Sequence, residues 1–218
     1  MKNKILTGIC ILAVFLFILT VSISLPIYHR YFYFLQIDSL QIIEDSGYSK
    51  QVIKDAFNDV MNYLTIPWAE FATGELVYSA EGKAHFADCK KLFNLNAIVL
   101  LLSSVTIVVL FVLHRKKRIK LLNIFGFNPA FYSAILAITL PLLLGGIIAI
   151  DFERAFEVFH KLFFYGKDNW VFDTDLDQII NILPQEFFMN CAIFIGVGIF
   201  VISSAIIIYS IINKLKSK

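Results

Sequence analysis

The chain has 218 residues, of which 58% are hydrophobic and 17% charged, with a formal net charge of +2. A soluble domain is nearer half apolar and about a quarter charged, so this composition excludes an ordinary water-soluble fold. The small net charge says little about partners, and no nucleic-acid partner is expected.

The first apolar run, 5–27, is long enough to cross a membrane, which takes about 20 apolar residues over about 30 Å of hydrocarbon. Ser22 and Ser24 offer a small-x-small cleavage pattern, but the run exceeds the roughly 7–15 apolar residues of a secretory signal. A retained anchor is expected. Cys10 does not read as a lipidation site, because Ile9 precedes it where a small residue is wanted and the apolar run continues beyond it.

The next segment, 28–94, is too long for a simple loop. It opens with Tyr28, Tyr31, Phe32, Tyr33 and Phe34, the composition of an interfacial aromatic belt. Ser49 is a good N-cap. After it Val52, Ile53, Ala56, Phe57, Val60, Met61 and Leu64 recur at three and four residues, which predicts an amphipathic helix ended before Pro67. Its apolar face is expected to pack on the membrane or on the helix bundle. Residues 75–78 offer a short strand. Ser79 and Gly82 then open a helix that runs through His85 into the second span, 95–113.

The loop 114–129 carries Arg115, Lys116, Lys117, Arg118 and Lys120 and reads as an anchor on anionic lipid. A third span, 130–150, follows. In 151–188, Asp151 can cap a short helix whose Phe152, Phe156, Phe159 and Phe163 form one stripe, with His160 beside it. A turn-rich stretch, Gly166 to Asn169, leads to Trp170. Pro184 precedes the last span, 189–212.

Lys2 and Lys4, the cluster at 115–120, and Lys214, Lys216 and Lys218 fall on one side of a four-span arrangement. The positive-inside rule makes that side cytoplasmic, with both termini there. The expected fold is an all-α membrane protein, one membrane domain over 1–218. It is a four-transmembrane-helix bundle with a small extracytoplasmic cap of helices and, at most, a short strand pair.

Several chemistries lack their motifs. The chain has no Gly-x-Ser-x-Gly elbow, no Walker A loop, no His-Glu-x-x-His helix and no Cys-x-x-Cys pair. The spans carry almost no charge, which argues against an ion pump. Cys10 and Cys191 lie in spans, so Cys89 has no partner for a disulfide outside the membrane. It reads as a small buried cysteine more readily than as a nucleophile. What remains is a pair of histidines near span boundaries, where an imidazole of ordinary pKa about 6.5 could serve proton transfer. His85 has Asp88 at i+3, a carboxylate able to hold the imidazole's tautomer, although such pairs are more often structural. His160 lies among phenylalanines, which would lower its pKa and keep it neutral.

The segment Ser79-Ala-Glu-Gly-Lys-Ala-His85-Phe-Ala-Asp88-Cys-Lys-Lys-Leu-Phe93 resembles the signature before the second span of the lipoprotein intramolecular transacylase (Lit) family. Phe159-His160-Lys-Leu-Phe-Phe164, Trp170-Val-Phe-Asp173, Asp177 and Leu183-Pro184-Gln-Glu-Phe-Phe188 are similar to its second outer loop. Cys89 stands where that family more usually has valine, and Thr174 where it has proline. The resemblance implies an acyl shift within one lipoprotein, from the sn-2 ester of its S-diacylglyceryl cysteine to the α-amino group. It implies His85 and His160 as catalytic residues, with Asp88, Arg154 and Trp170 as candidates for substrate binding. No cofactor and no metal are expected; the partners implied are diacylated bacterial lipoproteins and membrane lipid. The expected place is the bacterial cytoplasmic membrane, with the active site facing outward. Two other readings are an acyltransferase using an external phospholipid donor and a non-enzymatic accessory protein that binds a partner through its cap.

Overall fold

The computed structural model describes residues 1–216, and every side chain in that range except those of 144–150. In chain order the elements are α1 (Lys2–Tyr28), α2 (Arg30–Phe34), α3 (Ile42–Ser46), α4 (Lys50–Thr65), α5 (Ala80–Arg115), α6 (Pro129–Ile150), α7 (Phe152–Phe163), a short 3-10 helix (Gln178–Ile182) and α8 (Gln185–Lys216). Among the described residues there is no β-strand, only an isolated bridge between Ile124 and Phe127. The protein is an all-helical membrane protein. Helices α1, α5 and α8 are long and apolar enough to cross a bilayer. Helix α6 has 22 residues and therefore about 33 Å of rise, enough length for a fourth span.

The chain forms two compact units. The first comprises 1–25, 96–146 and 194–218. Its core is aliphatic, built around Cys10, Val14, Ile18, Leu110, Ala134, Ala137 and Ile199. In hydrocarbon the hydrophobic effect cannot drive helices together, so close packing and polar contacts must do it. Both are present. Ser133 donates its hydroxyl to the Ile11 carbonyl at 2.8 Å, tying α6 to α1. Asn96 donates to Ser24 Oγ at 2.9 Å, tying α5 to α1. A Cβ on Gly198 of α8 would sit 2.7 Å from Leu25 Cδ1 and 3.3 Å from Ser22 Cβ, so only glycine permits this approach to α1.

The second unit comprises 26–95 and 147–193. Ser49 caps α4 by accepting the Val52 N–H, and Ile66 turns extended ahead of Pro67, where a helical conformation would clash. The buried face of α4 is Ile53, Ala56, Phe57, Val60, Met61 and Leu64. It packs within its own unit: Phe57 stacks on Tyr33 with centroids 3.8 Å apart and meets Phe187 edge-on. Each such aliphatic or aromatic side chain contributes about 1.5–3 kcal/mol on burial. Tyr33 itself is fully buried, and its hydroxyl donates to the Ile182 carbonyl at 2.6 Å. It therefore belongs to the core, while Tyr28 and Tyr31 are exposed as a belt requires.

The strand expected at 75–78 is absent; these residues are turn and irregular chain. Instead Val77 accepts from the Gln178 N–H and donates to its side chain, pinning the segment to the 3-10 helix. One residue before Gln178, Asp177 accepts from the Ser79 N–H at 2.8 Å and from its hydroxyl at 2.9 Å. The Ser79 hydroxyl in turn accepts from the Gly82 N–H. The buried carboxylate thus sits at the N-terminus of α5, where the helix dipole favours negative charge. A Cβ at Gly82 would stand 2.0 Å from an Asp177 oxygen, so this close approach requires glycine.

Candidate active site

Helix α5 carries His85 on the buried side of its first turns, and α7 carries His160. Asp151 starts α7 by accepting the Arg154 N–H at 2.9 Å. The α7 face bearing Val158, Phe159, Leu162 and Phe163 is exposed, while His160 and the following Phe164 are buried. The phenylalanine stripe therefore splits: Phe159 and Phe163 are exposed, while Phe156 packs on the buried His160. The two imidazoles lie nearly parallel, with centroids 5.9 Å apart and an interplanar angle of 28°. An aromatic wall surrounds them. Phe164 and Phe172 meet His85 at 4.7 and 5.3 Å, and Phe156 and Trp170 pack on His160 at 4.2 and 4.9 Å.

This wall sets the electrostatics. Burial lowers the pKa of His85 to about 4, helped by the neighbouring His160 and opposed by Asp88 and Asn169. Burial also lowers the pKa of His160, against a bond to the Phe156 carbonyl. Both rings are thus neutral at pH 7. His160 Nδ1 lies 2.7 Å from that carbonyl. A carbonyl only accepts, so Nδ1 carries the hydrogen and Nε2 keeps its lone pair.

Asp88 does not hold His85 as the sequence suggested. Its carboxylate accepts from Lys91 at 2.9 Å and from Lys167 at 2.5 Å, and Asn169 donates to it at 3.5 Å. Lys167 and then Lys91 hold its pKa down to about 2. It acts as the anchor for the 164–173 loop, whose Trp170 and Phe172 cover the two rings. Trp170 is half-buried, and its indole N–H donates to the Lys167 carbonyl at 3.0 Å. Arg154 is exposed at the start of α7, six residues and about 9 Å of rise before His160, and is not gathered with the pair. Cys89 Sγ lies 3.4 Å from His85 Nε2. Burial pushes its thiol up to about 12, so it is protonated and a poor nucleophile. Among the described residues no group of three or more His, Cys, Asp or Glu is placed to bind a metal.

Lys167, Asn169, Phe164 and Phe172 were not singled out as site residues from the sequence. Lys167 and Asn169 stood in a stretch read only as turn. They reach Asp88 across 79 and 81 residues of chain, a separation that carries no periodic signal.

What such a pair can do is move protons within a buried aromatic surround without holding charge at rest. Comparison with known proteins gives that chemistry its family. A sequence model of the lipoprotein intramolecular transacylase Lit matches residues 8–188. The structure of the membrane integral lipoprotein intramolecular transacylase Lit from Bacillus cereus superposes with a TM-score of 0.87 at 27% identity, covering 99% of this chain and 97% of that one. A structure of the same protein with an H85R mutation gives 0.80 at 26% identity, covering 100% and 95%, and one with an H85A mutation gives 0.79 at 26%, covering 99% and 96%. No curated protein matches the sequence with significance. With more than half its length matched by the family's model, the chain belongs to the lipoprotein intramolecular transacylase family and is an acyltransferase of the membrane.

Proposed function

We propose that the chain moves an acyl chain within one lipoprotein molecule, from the sn-2 ester of its S-diacylglyceryl cysteine to the α-amino group of that cysteine. The amine nitrogen attacks the ester carbonyl carbon and a C–N bond forms. The carbonyl–oxygen bond to the glyceryl sn-2 oxygen breaks. The amine loses a proton to His85, and the departing alkoxide gains one, by way of His160. The product is the N-acyl, S-monoacylglyceryl form, and atoms balance with no donor or nucleotide. His160, once protonated, can also donate to the developing oxyanion. Amine and ester are tethered in one substrate, so orientation contributes much of the acceleration.

The observation that carries this reading is the pair of neutral imidazoles held 5.9 Å apart in an aromatic enclosure. A carrier of protons that stays uncharged at rest suits a site that must accept acyl chains. Trp170 is taken as part of the substrate-facing wall, Asp88 as its anchor, and Arg154 as a contact for lipid headgroups.

The membrane arrangement proposed with it is one domain crossing four times at 5–27, 95–113, 130–150 and 189–212. Both termini are cytoplasmic, and the histidine pair faces outward from a bacterial cytoplasmic membrane. The support is the placement of lysine and arginine at 2–4, 115–120 and 214–218. Single cysteines at Lys116 and Tyr165, probed with an impermeant thiol reagent in intact cells, test it: only the second should react.

Mass spectrometry of a lipoprotein N-terminus tests the reaction. Purified protein with diacylglyceryl lipoprotein and a chelator should yield the N-acyl lyso form. A mixture of two isotopically distinct substrates should keep every chain on its original molecule. A chain arriving from phospholipid or from the second lipoprotein makes the chain an external-donor acyltransferase. No conversion in folded protein leaves the accessory reading.

A further inference from the structure

We propose that Asn169 is a positioning residue that fixes the tautomer of His85, accepting its Nδ1–H and leaving Nε2 as the lone pair that takes the substrate's proton. The proposal deepens the reading of His85 as general base and rests on it.

Two buried atoms point to it. Among the described residues, His85 Nδ1 and Asn169 Oδ1 are both shielded from solvent and neither has a hydrogen-bond partner of ordinary geometry. They are complementary, since an amide oxygen accepts and an imidazole nitrogen donates in one of its two tautomers. The orientation of the amide follows from its neighbour. Asn169 reaches Asp88 Oδ2 at 3.5 Å, and a carboxylate held well below its usual pKa takes only donors. The NH₂ end of the amide therefore belongs to Asp88, and the oxygen is the end left for His85. The Asn169 side chain also favours the charged form of the imidazole, as an acceptor of Nδ1–H would.

The opposite edge of the ring is compatible with this tautomer. Nε2 lies 3.4 Å from Cys89 Sγ, and a protonated thiol can donate weakly to a lone pair there. The amide contact is the one that selects hydrogen on Nδ1. Asp88, which sequence spacing would put in this role, has its oxygens bonded to Lys91 and Lys167. It acts one step removed, by holding the amide. In His160 the same tautomer is imposed by a backbone carbonyl, at 2.7 Å, which no side-chain substitution removes.

That difference makes the test. Protein labelled with ¹⁵N-histidine in detergent should show His85 with hydrogen on Nδ1 and a bare Nε2. The signal is assigned by its loss in His85→Ala. In Asn169→Leu the His85 pattern should move to a mixture or to hydrogen on Nε2, while His160 keeps its own pattern. Conversion should fall by about 10–100-fold, mainly in kcat, the range seen when a residue orienting a working group is removed. Asn169→Asp retains an acceptor at that point and should restore the Nδ1–H pattern. Hydrogen on Nε2 of His85 in the unaltered protein overturns the proposal, and that measurement needs no variant at site 169. An unchanged His85 pattern in folded Asn169→Leu overturns it as well. Full conversion by folded His85→Ala would instead overturn the general-base reading and leave the tautomer result standing.

Discussion

The two units bury different kinds of polar group. Among the described residues of 1–25, 96–146 and 194–218 the buried polar ones are Thr7, Thr20, Ser22, Asn96, Ser103, Ser133, Ser203 and Ser210, all uncharged. Many of their hydroxyls return to the carbonyl four residues back, as Ser22 does to Ile18 at 2.8 Å. Among the described residues of 26–95 and 147–193 the buried polar ones are Thr73, His85, Asp88, His160 and Asp177, nearly all ionisable. An ion has no recourse in hydrocarbon, whereas a hydroxyl bonded within its own helix costs little there. Chemistry that needs a titratable group is thus confined to the unit that can pair it, cover it, or keep it neutral.

Breaking the histidine pair should give the largest effect. His85→Ala should lower lyso-lipoprotein formation by about 10²–10⁴-fold while the protein stays folded in the membrane. His160→Ala should follow with a smaller loss. Near-normal conversion by the folded His85 variant would remove the distinction between a chemical and a structural unit.

Acid should separate the units next. His85 has a folded pKa of about 4 against about 6.5 unfolded. Between these values the unfolded chain binds more protons, so stability is full above about pH 6.5 and is lost as pH falls towards 4. The loss amounts to about 3 kcal/mol. Unfolding followed by the tryptophans Trp68 and Trp170, both in this unit, should show that slope, and His85→Phe should flatten it.

A change confined to the other unit should act on stability alone. Ala134 and Ala137 are fully buried on α6 in an aliphatic core. Ala134→Leu overpacks it at a cost of about 1–3 kcal/mol. The detergent melting temperature should drop while conversion per folded molecule is retained. Loss of specific activity in that variant would show that the bundle core is coupled to the chemistry.

The smallest effect expected is from Tyr33→Phe. It removes the hydroxyl bonded to the Ile182 carbonyl and leaves that acceptor unmatched, at about 1–2 kcal/mol. Chemical denaturation should report the loss without a change in the ¹⁵N pattern of either histidine.

The legible parts of the molecule are those written in local pattern. Helix α4 could be read from Ser49 to Leu64, because an N-cap and a three-to-four spacing are both short-range signals. The long apolar helices α1, α5 and α8 followed from apolar length in the same way. The strand at 75–78 failed because alternation over so few residues means little unless a neighbouring strand accepts it, and Gln178 offers only a single residue's bonds. The Tyr28–Phe34 belt split because aromatic composition does not say which ring finds a core, and Tyr33 found Phe57.

By itself the sequence determined an all-helical membrane protein and offered the two histidines as candidates, since hydrocarbon thickness dictates span length and few other proton carriers remain. The tertiary structure alone decided the partners of those histidines. Asp88, three residues from His85, turned to Lys167, and the Asn169 side chain lies close enough to act on the ring. Helical spacing limits which side chains can meet. Which contact wins depends on charge: a lysine satisfies a buried carboxylate better than a neutral imidazole does, and that lysine arrives from 79 residues away.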